Sequence, residues 1–211
     1  MAKIKTAYYC QKCGTQYPQW HGQCKNCGEW NTLVEEIVEK KSSHYDILGS
    51  GKQKIINITE VETGTEIRLK TVSEELNRVL GGGIVLGSVI LIGGEPGIGK
   101  STLLLQLALK MKKKILYVSG EESASQIKMR ADRITDVQNP NCFLYTETSI
   151  EKILMEAKNL QPDLMIVDSI QTLQSQLLES AAGTVSQIRE CSGELIKFAK
   201  ENNIPVILVG H

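Results

Sequence analysis

An apolar run, Ser88-Val89-Ile90-Leu91-Ile92-Gly93, opens onto Gly94-Glu95-Pro96-Gly97-Ile98-Gly99-Lys100-Ser101-Thr102 and then onto Leu103-Leu104-Leu105-Gln106-Leu107-Ala108. Strand, glycine-rich turn and helix in that order make a complete phosphate loop. The glycines allow backbone amides to curl around an anion, and a helix starting near Ser101 aims its N-terminal dipole at the same place. Lys100 is expected to neutralise β- and γ-phosphates, and the Ser101 hydroxyl to ligate Mg2+. A chain built around this segment is committed to an α/β fold, because the loop needs a strand before it and a helix after it.

The rest of the sequence alternates accordingly. Apolar strands are predicted near Val89 to Ile92, Lys114 to Ser119, Cys142 to Tyr145, Leu164 to Val167 and Val206 to Val209, with helices between them. Ser123 with Gln126, and Thr148 with Glu151, have the spacing of capping boxes. A short helix is expected from Ser73 to Leu80, stopped by Gly81-Gly82-Gly83. The predicted architecture is a mainly parallel sheet covered on both faces.

Two strand ends add chemistry. Leu164-Met165-Ile166-Val167-Asp168 delivers a carboxylate at the edge where ligands collect in open α/β sheets, so Asp168 is the expected Mg2+ carboxylate. Helix capping is its structural alternative. Glu121, after a strand expected beside the phosphate loop, is the candidate base that orients an attacking water; Glu122 is the neighbouring choice, and both could simply oppose a helix dipole. His211, at the end of the last strand, is a candidate γ-phosphate sensor or a plain chain end.

A different module precedes this core. Cys10 and Cys13, followed by Gly14, and Cys24 and Cys27, followed by Gly28, are two knuckles whose thiolates can surround one ion tetrahedrally. Zinc is the expected ion and iron its chemical rival. His21 is not expected to ligate, because four thiolates complete the shell. Cys142 and Cys191 lack partner spacing and are expected in the core. Lys3, Lys5, Lys12 and Lys25 stand near Tyr8, Tyr9, Tyr17, Trp20 and Trp30, aromatics that either stack on single-stranded bases or pack around the metal turns.

The polar stretch after Trp30 places the boundaries: a C4 zinc finger at 1–35, a linker at 36–55 and the ATPase domain at 56–211. With 41% hydrophobic and 23% charged residues the chain can bury an ordinary core. Formal net charge is zero, so any nucleic-acid contact must be local. No apolar stretch is long enough to cross a membrane and the first residues lack a secretory core, which together point to the cytoplasm.

The cysteine module, Gly81-Gly82-Gly83, the phosphate loop, Val118-Ser119-Gly120-Glu121-Glu122-Ser123, Val167-Asp168-Ser169-Ile170-Gln171-Thr172 and Val209-Gly210-His211 together resemble the RadA (Sms) family of bacterial DNA repair proteins, over nearly the whole chain. That resemblance implies a zinc finger joined to a RecA-like ATPase, hexameric rings, ATP, Mg2+ and Zn2+ as ligands, and branch migration alongside RecA on single-stranded or branched DNA. It carries phosphate and Mg2+ contacts to Lys100, Ser101 and Thr102, the Walker B role to Asp168, the catalytic glutamate to Glu121 and the sensor to His211. Family members continue through a Lys-Asn-Arg-Phe-Gly motif to a Lon-protease-like domain, so the chain is expected to be C-terminally incomplete. The segment from Gln171 to Thr184 matches a first DNA-facing loop, although it holds no Lys or Arg. A RecA-like regulatory ATPase and a non-catalytic zinc-ribbon interaction protein are the competing readings.

Overall fold

The computed structural model describes residues 5–38, 57–60, 67–134 and 139–211. Most of the expected linker lies outside them. The N-terminal part is a small antiparallel sheet of β1 (Lys5–Cys10), β2 (Gln16–Tyr17) and β3 (Leu33–Val38), in the order β2-β1-β3. Its core consists of Cys10, Cys24 and Leu33, with Tyr8 and Tyr17 packed against them. So few apolar residues cannot hold a fold alone, and a bound metal would supply most of the missing stability.

A short ribbon of β4 (Arg68–Leu69) and β5 (Ile84–Val85) flanks α1 (Glu74–Val79), which Ser73 caps by accepting the Leu76 amide. The main sheet comprises β6 (Val89–Gly93), β7 (Ile115–Ser119), β8 (Cys142–Thr146), β9 (Leu164–Asp168) and β10 (Val206–Gly210). Its order is β6-β10-β9-β7-β8, and every neighbour is parallel. All five predicted strands are present, within a residue at each end. Four helices connect them: α2 (Lys100–Lys110), α3 (Ala124–Ile134), α4 (Ile150–Leu160) and α5 (Val185–Asn202).

Alternation within the buried strands sorts the core into two layers. Ile115, Tyr117, Leu164, Ile166, Ile207 and Val209 face α2 and α3, while Leu116, Val118, Met165, Val167, Val206 and Leu208 face α4 and α5. Both sheet faces are covered, as runs such as Leu164-Met165-Ile166-Val167 require. The result is a RecA-like α/β fold preceded by a tetracysteine module.

Three local expectations need correction. Ser123 and Gln126 form the expected box, with the Ser123 amide donating to Gln126 Oε1 at 2.9 Å. Thr148 and Glu151 do not. Ser149 is the N-cap of α4, and its hydroxyl donates to Glu151 Oε2 at 2.9 Å, because Glu151 is also drawn toward the loop after β9. Cys191 is fully buried but Cys142, on the edge strand β8, is only half-buried. Finally, β7 is not beside the strand of the phosphate loop: β10 and β9 lie between β6 and β7.

Candidate functional site

Parallel pairing brings the C-terminal ends of β6, β10, β9 and β7 to one edge of the sheet, and the expected site residues gather there. After β6 the chain passes through Gly94, Gly97 and Gly99 at φ of 155°, 82° and 96°. Only glycine adopts these values cheaply. A Cβ on Gly94 would sit 2.6 Å from Ile98 Cδ1, so the turn is tight as well as left-handed. Glu95, Pro96 and Ile98 are exposed. The helix α2 begins at Lys100, and its first-turn amides have no side-chain cap, which leaves them for an anion.

Lys100 is buried, with Nζ donating to the carbonyls of Gly94 at 2.7 Å and Glu95 at 2.8 Å. The lysine thereby ties the loop back onto the start of α2. Ser101 donates to Asp168 Oδ1 at 3.0 Å, joining the start of α2 to the end of β9 across 67 residues of chain. A hydroxyl and a carboxylate oxygen this close, beside uncapped amides and an ammonium, suit a hard divalent cation and the phosphates it would bridge. Thr102 follows in the same first turn but is exposed.

Glu121 reaches the site by another route than the one expected. Ser119 is in register with Asp168 on adjacent strands, and the Gly120 amide donates to the Asp168 carbonyl at 3.1 Å. A Cβ on Gly120 would lie 2.1 Å from Thr172 Oγ1, so glycine is what lets β7 turn this closely over the segment after β9. Ser169, completely buried, then donates to Glu121 Oε1 at 2.8 Å. Glu122 is engaged elsewhere, accepting from Arg130 Nη1 at 2.9 Å. Between the two glutamates, therefore, Glu121 is the one held at the sheet edge. The His211 side chain is exposed and its backbone carbonyl accepts from Gln171 Nε2 at 3.1 Å.

Sequence reading missed the groups that organise this edge. Tyr117 donates to Asp168 Oδ2 at 2.6 Å. Beyond it, Gln187 gathers the segment after β9: its Oε1 accepts the Ser175 amide, and its Nε2 lies within 2.9 Å of the Ser180 carbonyl. Glu151 accepts from the Ser175 hydroxyl and the Gln176 amide. The expected DNA-facing segment is thus tethered by the buried Gln187 amide and the Glu151 carboxylate, while Leu177 stays exposed. Only the apolar strand pattern around Tyr117 was visible in the sequence, and it carries no sign of a polar partner.

In the N-terminal module the four thiol sulfurs lie within 4.8 Å of one another. Cys10 and Cys27 approach to 3.6 Å and Cys13 and Cys24 to 3.5 Å. Sulfurs about 3.8 Å apart are what a tetrahedral ion with bonds near 2.3 Å requires, so the group fits zinc. Gly14 and Gly28, at φ of 72° and 74°, each return an amide to the carbonyl of the first cysteine of their knuckle at 2.8 Å. The rings of His21 and Tyr17 meet edge to face at 5.6 Å, and His21 is not among the clustered ligand atoms. Lys12 is paired with Glu29. Trp20 and Trp30 are 54% and 67% exposed and lie outside the small core of Cys10, Cys24 and Leu33.

The thiols differ in acidity. The Thr15 hydroxyl and backbone hold the Cys13 thiol down to about 5. At Cys27 the Glu29 backbone hydrogen bond pulls downward, but burial and the neighbouring thiols outweigh it and push the group up to about 12. Thiolates bind the metal, so protons compete with it. Zinc affinity should fall by about tenfold or more per unit from pH 7 to 5, because the Cys27 thiol, protonated across that range, must release its proton to bind the metal, and more steeply once Cys13 protonates as well. A metal-sensitive dye followed against pH checks this, and a flat profile would be inconsistent with a four-thiolate site.

The fold and the phosphate-loop edge place the chain in a class of nucleotide-binding α/β proteins, and a family model agrees: residues 58–211 match the AAA domain, so the chain belongs to the AAA domain family. Residues 8–35 match a zinc-ribbon model described as a rubredoxin metal binding domain. Over its full length the chain is 47% identical to the DNA repair protein RadA of Bacillus subtilis (strain 168) and 46% identical to that of Listeria monocytogenes. RadA of Streptococcus pyogenes serotype M6 is similar at 47%. In each case the chain spans 47% of the relative, about half its length.

Proposed function

We propose that this chain is the zinc finger and nucleotide-binding part of a DNA-dependent ATPase that acts as a helicase-type motor in recombinational repair. The observation that carries the reading is the meeting of Ser101, Asp168, Ser169 and Glu121 at one sheet edge beside the Lys100 loop. In this reading Lys100 and the amides around Gly94, Gly97 and Gly99 take the phosphates of ATP. Ser101 and Asp168 hold Mg2+, whose charge would offset that developing on the γ-phosphoryl group. Glu121, oriented by Ser169, accepts the proton of the attacking water. Ser169 and Thr172 belong to the chain that continues into the tethered 173–184 segment, so a change at the phosphate can be passed to a DNA-facing loop.

The RadA likeness extends the proposal to branch migration of recombination intermediates with RecA, on single-stranded or branched DNA, by a hexamer working in the cytoplasm. Residues 1–35 act as the zinc finger, 36–55 as linker and 56–211 as the ATPase domain. Among the described residues no helix is long and apolar enough to cross a membrane.

ATP hydrolysis measured with and without single-stranded DNA tests the motor. DNA should raise turnover, and Glu121→Gln should lower it by about 100-fold or more while ATP still binds. Turnover indifferent to DNA would favour a regulatory ATPase. Unchanged behaviour of Glu121→Gln would favour a non-catalytic nucleotide-regulated protein.

A further inference from the structure

Asp168 is gripped from two sides: Ser101 donates to Oδ1 at 3.0 Å and Tyr117 to Oδ2 at 2.6 Å. We infer that Tyr117 is a positioning residue for the cation-holding carboxylate, locking Oδ2 so that Oδ1 stays turned toward Ser101 and the metal. This rests on the assignment of Asp168 to Mg2+ made above.

Two features support the role. Tyr117 is 1% exposed, in the layer that also contains Leu104, Ile127 and Ile166, where a phenylalanine would pack as well and would bring no polar atom into the core. The hydroxyl therefore needs a reason, and its bond to Asp168 provides one. Register supplies the reach: Tyr117 pairs with Ile166 while Ser119 pairs with Asp168, so tyrosine and aspartate are diagonal neighbours on one face of adjacent strands. An aspartate's terminal torsion is broad, and a fixed donor on one oxygen is what removes that freedom.

The test is a Mg2+ titration of the binding of a fluorescent ATP analogue, with Tyr117→Phe, Asp168→Asn and the unaltered protein compared. Tyr117→Phe should raise the half-saturating Mg2+ by about tenfold or more and leave Mg2+-free nucleotide binding within about twofold. A folded Tyr117→Phe with an unmoved Mg2+ midpoint overturns the proposal. If Asp168→Asn moves that midpoint and Tyr117→Phe does not, the Asp168 assignment stands and only the tyrosine's role falls. If neither moves it, both fall. Should Tyr117→Phe not fold, 13C-tyrosine spectra of the unaltered protein replace it. A Tyr117 ring signal that shifts when Mg2+ joins bound nucleotide supports the role, and an unresponsive one overturns it.

Discussion

Lys100→Ala should weaken nucleotide binding by at least about 100-fold, since a unit charge near 4 Å from a phosphate is worth about 4 kcal/mol at a partly screened site and each 1.4 kcal/mol is tenfold. The structure adds a second reason. Nζ donates to the carbonyls of Gly94 and Glu95, so alanine removes a clamp that shapes the cradle as well as the charge. The fold should survive. Lys100 lies at the start of α2, beyond the two apolar layers of the sheet, and two lost charge-assisted bonds should cost only a few kcal/mol. Titration with a fluorescent ATP analogue, alongside thermal unfolding, checks both halves. Ordinary ATP affinity in a folded variant would remove the basis for the site.

Removing one thiolate should have a comparably large but local effect. Cys24 is fully buried at the centre of the module and shares its sulfur environment with Cys13 at 3.5 Å and the Tyr17 hydroxyl at 3.3 Å. Cys24→Ser should release the metal and unfold the small sheet, because zinc binding worth about 10–16 kcal/mol in such modules is also their folding free energy. The ATPase core should unfold at an unchanged temperature, since its two apolar layers contain no residue of β1 to β3. Zinc content measured beside calorimetry separates the cases. Full zinc occupancy would rule out a tetrathiolate, and a lost core transition would show that the two parts depend on each other.

The phosphate loop and the thiol cluster were legible because both depend on residues adjacent in the chain. Glycines at Gly94, Gly97 and Gly99 can serve only the conformation they adopt, and two cysteine pairs on tight turns have few other uses. Asp168 was legible for a related reason: a carboxylate ending a wholly apolar strand has nowhere to point except the sheet edge. The capping position of α4 was misread because Thr148, Ser149 and Glu151 offer equivalent local spacings. The choice was made by Ser175 and Gln176, which share the Glu151 carboxylate from 24 and 25 residues away.

Local sequence determined the elements and the chemistry of this chain: five strands, a phosphate loop, a carboxylate, a pair of candidate glutamates and four thiols. Tertiary structure decided how they meet. Strand order separated β6 from β7 and set Glu121 against Ser169, while Glu122 pairs with Arg130. It also set Tyr117 against Asp168 and Gln187 against the segment after β9. Periodicity reports only whether a side chain faces a core. Which polar atom it finds there depends on the register of strands distant in sequence, and parallel pairing settles that register only once the sheet is assembled.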